Sequence, residues 1–162
     1  MRSLGIGPIV ALAALAGCAT ATEGAPGPAP ASISYETGPC FGACPVYRVT
    51  VSADGRGVFE GRRFTAVEGE RPFRIAPDRF RALVAHLEPI RPAGAEMRYS
   101  GDACEAMATD LPSAEVTWDM PAGRQQLYFY HGCDMEKNRA IAERLDAVPS
   151  LLPIAELISQ DD

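Results

Sequence analysis

The sequence predicts an α+β domain: an antiparallel β-sheet with two to three helices packed on one face, following a signal peptide and a disordered tether. Three observations predict it. Residues from Ile33 onward alternate apolar and polar side chains in short runs separated by turn residues. A helical period then begins abruptly at Pro77 and stops at Pro89. A second hairpin pattern is followed by apolar helical runs to the end of the chain. Strands grouped before helices, rather than alternating with them, suit an antiparallel sheet covered on one side.

The elements follow in order. Ile33-Ser34-Tyr35 opens the alternation, and Tyr47, Val49 and Val51 alternate with Arg48, Thr50 and Ser52 as in a half-buried strand. Ala53-Asp54-Gly55 is a turn, since Asp-Gly supplies the positive φ of a tight hairpin. Val58-Phe59-Glu60-Gly61, Phe64-Thr65-Ala66-Val67 and Phe73-Arg74-Ile75 are the next candidate strands. Phe80, Leu83, Val84 and Leu87 fall at i, i+3, i+4 and i+7, one apolar helical face. Residues 90–113 have no clear period. Val116-Thr117-Trp118 and Leu127–Tyr130 form a hairpin about Pro121-Ala122-Gly123. Asp134 is placed to cap a helix running to Val148, with Ile141, Leu145 and Val148 on one face. Pro149 breaks it, and Leu151 to Ile158 reads as a last short helix.

Ahead of this domain, expected over 33–162, lies a different kind of sequence. Arg2 gives a positive start, and residues 4–17 are apolar and uncharged. That run is shorter than the roughly 20 residues a membrane-crossing helix needs, but it matches a secretory signal. Leu15-Ala16-Gly17-Cys18 resembles the lipobox of bacterial lipoproteins. The resemblance implies a signal peptide over 1–17, diacylglycerol on the Cys18 thiol, cleavage before Cys18, and anchoring in a lipid bilayer. The competing reading is an ordinary signal peptide cut at a small-residue site. Ala19 and Thr20 follow Cys18 where inner-membrane lipoproteins carry Asp, which implies the periplasmic face of the outer membrane. Residues 18–32 hold Ala, Pro, Gly and Thr with no bulky apolar side chain before the domain. They cannot bury enough surface to offset ordering entropy, so they read as a flexible tether.

Charge narrows the possible partners. The chain carries 15 basic and 21 acidic residues, net −6; loss of Arg2 with the signal takes it to −7. Nucleic-acid affinity is led by phosphate neutralisation, so no nucleic-acid partner is expected. An envelope protein is the partner class that export leaves open.

Four cysteines remain after Cys18: Cys40, Cys44, Cys104 and Cys133. An even count in an exported chain points to two disulfides, with three possible pairings. The favoured pairs are Cys40–Cys44, where Gly42 lets the backbone fold back, and Cys104–Cys133. By chain entropy the longer loop is worth about 3.6 kcal/mol and the shorter about 2 kcal/mol. The run Cys40-x-Gly42-x-Cys44-Pro45-x-Tyr47, then a strand and Asp54-Gly55, resembles the family called domain of unknown function 6438. Cys104 and Cys133 lie outside that motif. The resemblance implies a fold and no mechanism.

Three activities compete with a purely structural role. Thiol–disulfide exchange at Cys40 and Cys44 needs a lowered thiol pKa, usually from a helix N-terminus, and a strand pattern follows here instead. Copper handling needs a third soft ligand beside Cys40 and Cys44, for which His131 is the candidate. Hydrolysis or group transfer has Asp102, Glu105, Asp110, Asp119, His131 and Asp134 as polar candidates, in no spacing that specifies such chemistry. The expectation is therefore a non-enzymatic binding or envelope-structural module with no cofactor, and a redox or copper-handling lipoprotein is the alternative.

Overall fold

The computed structural model describes residues 29–159. The expected signal segment 1–17, the lipidation residue Cys18 and most of the tether lie outside the described residues. Seven strands form one sheet: β1 (Ser32–Thr37), β2 (Val46–Ser52), β3 (Arg56–Arg63), β4 (Gly69–Arg74), β5 (Glu96–Tyr99), β6 (Ser113–Met120) and β7 (Gly123–Tyr130). Their spatial order is β4-β3-β2-β1-β6-β7-β5. Every neighbouring pair is antiparallel except β5 and β7, which run parallel. Three helices accompany the sheet: α1 (Pro77–Leu87), α2 (Arg139–Ala147) and α3 (Ala155–Ile158).

The period-two pattern explains the layering. Val49 stands opposite Tyr35 on one side and Phe59 on the other, and Val116 stands opposite Tyr35 and Leu127. These side chains therefore share one face, together with Ile33, Val51, Trp118 and Phe129, and all are buried. Phe80, Leu83 and Leu87 from α1 complete the same core with Leu145 from α2 and Ile154 from the C-terminal segment. Each fully buried apolar side chain contributes roughly 1.5–3 kcal/mol, so this face dominates the favourable side of folding. The two longer helices are also clasped directly. His86 Nε2 lies 2.8 Å from the carbonyl of Arg144, and the Arg144 guanidinium donates to the carbonyl of His86 at 2.9 Å.

The opposite face is polar. The hydroxyls of Ser34 and Thr50 are 2.8 Å apart, Glu36 pairs with Arg48 and Arg62, and Arg98 lies 4.1 Å above the Tyr128 ring. An antiparallel sheet can leave one such face to water. The Asp54-Gly55 turn is as expected, with Gly55 at φ +80.

Several expectations are corrected. Phe64–Val67 is a bend between β3 and β4, not a strand; the N–H groups of Ala66 and Val67 bond to the carbonyls of Ile158 and Leu157 rather than to a ladder. The aperiodic stretch contains β5, whose pairing makes the sheet mixed. Asp134 does not cap a helix: α2 starts five residues later at Arg139, after Asn138. Residues 148–151 form a 3-10 turn, and the last helix is only Ala155–Ile158. Just ahead of β1, the Ala31 N–H bonds to the carbonyl of Asp119, and the Ala31 carbonyl accepts the N–H of Ala53.

The two faces should respond differently to substitution. Phe129→Ala is expected to cost about 3–5 kcal/mol in urea unfolding, and Val58→Thr on the open face under about 0.5 kcal/mol. Equal losses would mean that the open face is packed as well.

Candidate functional site

The loops at one end of the sheet hold all four described cysteines. Thr37 ends β1, Val46 begins β2, Ser113 begins β6 and Tyr130 ends β7, so residues 38–45, 100–112 and 131–138 emerge together. The chain enters the domain at the other end, where Ser32 pairs with Ser52 and Asp119.

The first loop is closed at its neck and at its tip. Thr37 Oγ1 donates to the carbonyl of Pro45 at 2.8 Å and accepts the Tyr47 N–H at 3.1 Å. A disulfide joins Cys40 and Cys44 with their Cα atoms 5.8 Å apart. Gly42 between them sits at φ +141, where L side chains are strained, so this position favours glycine. The Phe41 N–H bonds to the carbonyl of Asp110 at 3.1 Å, tying the tip to the second loop. Behind the loop the Tyr47 ring stacks on Phe59 at 5.3 Å and lies 6.2 Å from Tyr35. Burial pushes both phenols well above their usual range, so they stay protonated and serve as packing. Tyr47 is thus the internal anchor of the motif that begins at Cys40.

The second staple joins Cys104 to Cys133, Cα atoms 5.3 Å apart. Around it the two loops zip together. Ala108 N–H bonds to Gly132, and Asp134 N–H bonds to Ala106, each at 2.9 Å. The Asp134 carboxylate returns to the other loop, accepting the N–H of Ala106 at 2.7 Å and of Glu105 at 3.1 Å. Those two donors hold its pKa below the usual carboxylate range. Asn138 Nδ2 donates to the Cys133 carbonyl at 2.9 Å, and Lys137 pairs with Glu105 at 2.9 Å. Asp134, positioned at φ +44, is therefore a bracket between loops rather than a helix cap.

The chemistry candidates separate in space. Cys44 leads into strand β2 through Pro45, so the first disulfide does not open a helix of its own. His131 is mostly buried, edge-on to Phe129 at 5.2 Å, with Nε2 3.8 Å from Asp146 of α2. Burial lowers its pKa, and Asp146 offsets this in part. Among the described residues no group of three His, Cys, Asp or Glu side chains could hold a metal ion, so Cys40, Cys44 and His131 do not assemble into a copper site. Asp119 lies at the far end, bonded to Ser32 and Arg124. Asp102, Glu105 and Asp110 are exposed on the second loop. The apolar residues Phe41, Met107 and Met135, which the sequence reading passed over, share this end and are 87%, 54% and 55% exposed. Only their loop context could have signalled it, because composition treats them as core.

Two measurements check this geometry. Replacing Cys104 and Cys133 by serine should cost about 2–4 kcal/mol in unfolding, and replacing Cys40 and Cys44 less, because the closed loop is shorter. Asp134 has a depressed folded pKa, so its stabilising effect is complete above the unfolded value near 3.9 and is lost as pH falls through the folded value. Asp134→Asn should flatten that part of the acid limb in pH-dependent melting; an unchanged limb contradicts the bracket.

No curated protein matches the chain. A family model described as "Domain of unknown function (DUF6438)" matches residues 31–149, which include all seven strands, both longer helices and both disulfides. The match spans well over half of the sequence, and the chain therefore belongs to the DUF6438 family.

Proposed function

We propose that the chain is an exported lipoprotein, anchored through acylated Cys18 at the periplasmic face of the outer membrane, and that its domain is a non-enzymatic binding module for an envelope partner. The observation that carries the binding part is Phe41. Its side chain is 87% exposed, while its backbone is fixed by the Cys40–Cys44 disulfide and the bond to Asp110. A large apolar group held in water on a restrained loop loses little conformational entropy on docking, which favours contact with a partner.

Export is supported by the apolar run ending in Leu15-Ala16-Gly17-Cys18 and by two disulfides, which persist in oxidising compartments. Several acyl chains, each contributing about 0.8 kcal/mol per buried CH₂, would hold the protein far more firmly than one. The test is fractionation of cells expressing Cys18→Ser. The account expects the protein to move from the membrane to the soluble fraction; an unchanged membrane fraction counts against the anchor.

A further inference from the structure

We infer that the disulfide-stapled end of the sheet is a docking surface for a protein partner that presents a basic surface around an apolar cleft. This rests on the binding-module reading above and names its surface and the chemistry of its partner.

The apolar part is built from three loops fastened to one another. Phe41 is tied to the second loop through Asp110; Met107 pairs with Cys133 in an isolated bridge; Met135 follows two residues later. Phenylalanine and methionine are enriched in interface cores, and a restrained scaffold lowers the entropy of ordering them. Methionine also adapts its shape to a facing surface.

Charge selects the occupant. The loops at this end and the residues that border them carry six acidic side chains, Glu68, Asp102, Glu105, Asp110, Asp134 and Glu136, against three basic ones, Arg63, Lys137 and Arg139. Glu105 is neutralised by that lysine, and Asp134 is spent on backbone donors. Arg63 borders this end opposite Val46, with its guanidinium 4.8 Å from the Phe64 ring, and leaves the acidic groups in excess. A second copy of this chain would bring like charge against like charge, which disfavours a homodimer through this end. An anionic lipid surface is disfavoured for the same reason, and the chain enters the domain at the opposite end of the sheet. A basic protein surface with an apolar cleft complements both the exposed apolar side chains and the acidic excess of this end.

The experiment uses the full chain carrying Cys18→Ser, so that no acyl group contributes. The probe is a short fluorescent peptide of alternating lysine and leucine, with the glutamate–leucine peptide as its counterpart. Anisotropy should show saturable binding of the lysine peptide and none of the glutamate peptide. Binding should weaken several-fold between about 50 mM and about 300 mM salt. Phe41→Ala should weaken it about tenfold or more, while Met97→Ala, an exposed methionine on edge strand β5, should leave it unchanged. Equal binding of both peptides, or full binding by Phe41→Ala, overturns the inference. So does self-association in sedimentation that Phe41→Ala abolishes, which would make a second copy the occupant, or binding to neutral phospholipid vesicles that Phe41→Ala abolishes. None of these outcomes alters release of Cys18→Ser from membranes, so the surface and the anchor fail separately.

Discussion

One face of one sheet has to be covered, and most of the architecture follows from that. The inward positions of β1, β2, β3, β6 and β7 carry Ile33, Tyr35, Val49, Val51, Phe59, Val116, Trp118, Leu127 and Phe129 in register. Among the described residues the helical segments cover this face, so α1, α2 and the C-terminal turns are placed where their apolar stripes meet it. The mutual His86–Arg144 bonds fix the two longer helices as one lid. Within this core the Trp118 indole N–H is buried with no hydrogen-bond partner among the described residues, a cost of about 1–3 kcal/mol that the surrounding apolar burial offsets.

Covering the helical face leaves the connections free to gather at the sheet ends. At one end they are short turns such as Asp54-Gly55. At the other they are long, and long loops without secondary structure lose order unless fastened. Two disulfides and the Asp134 bracket do the fastening. The core also reaches this end, because Tyr47, three residues after Cys44, packs beneath the first loop on Phe59. The same residues that close the loops therefore leave Phe41, Met107 and Met135 facing outward.

How much of this was legible depended on whether the signal was local. Residues 33–36 and 47–52 alternate cleanly because both faces of their strands have settled roles, and Pro77 and Pro89 bracket α1 by removing backbone donors. The hairpin about Pro121-Ala122 was equally plain. The run Phe64-Thr65-Ala66-Val67 looked like a strand by residue type, yet its backbone is satisfied by the C-terminal helix, a contact far away in sequence. Strand β5 is four mostly exposed residues, Glu-Met-Arg-Tyr, at a sheet edge, and so shows no alternation. Asp134 resembles a cap because the side chain suits backbone donors; the donors it meets belong to Glu105 and Ala106, nearly thirty residues upstream. The cysteine pairs were readable from count and spacing, but the separation of His131 from Cys40 and Cys44 needed the fold.

In the proposed reading the stapled end is a docking surface and its first disulfide, which leads into strand β2 rather than into a helix, is a structural staple. The most direct measurement is the reduction potential of the Cys40–Cys44 pair, followed by thiol alkylation in redox buffers. The account predicts a value below about −300 mV, the range of structural bridges. A value between about −230 and −120 mV, where dedicated oxidoreductases lie, would contradict it and place thiol–disulfide exchange at the centre of the protein's function.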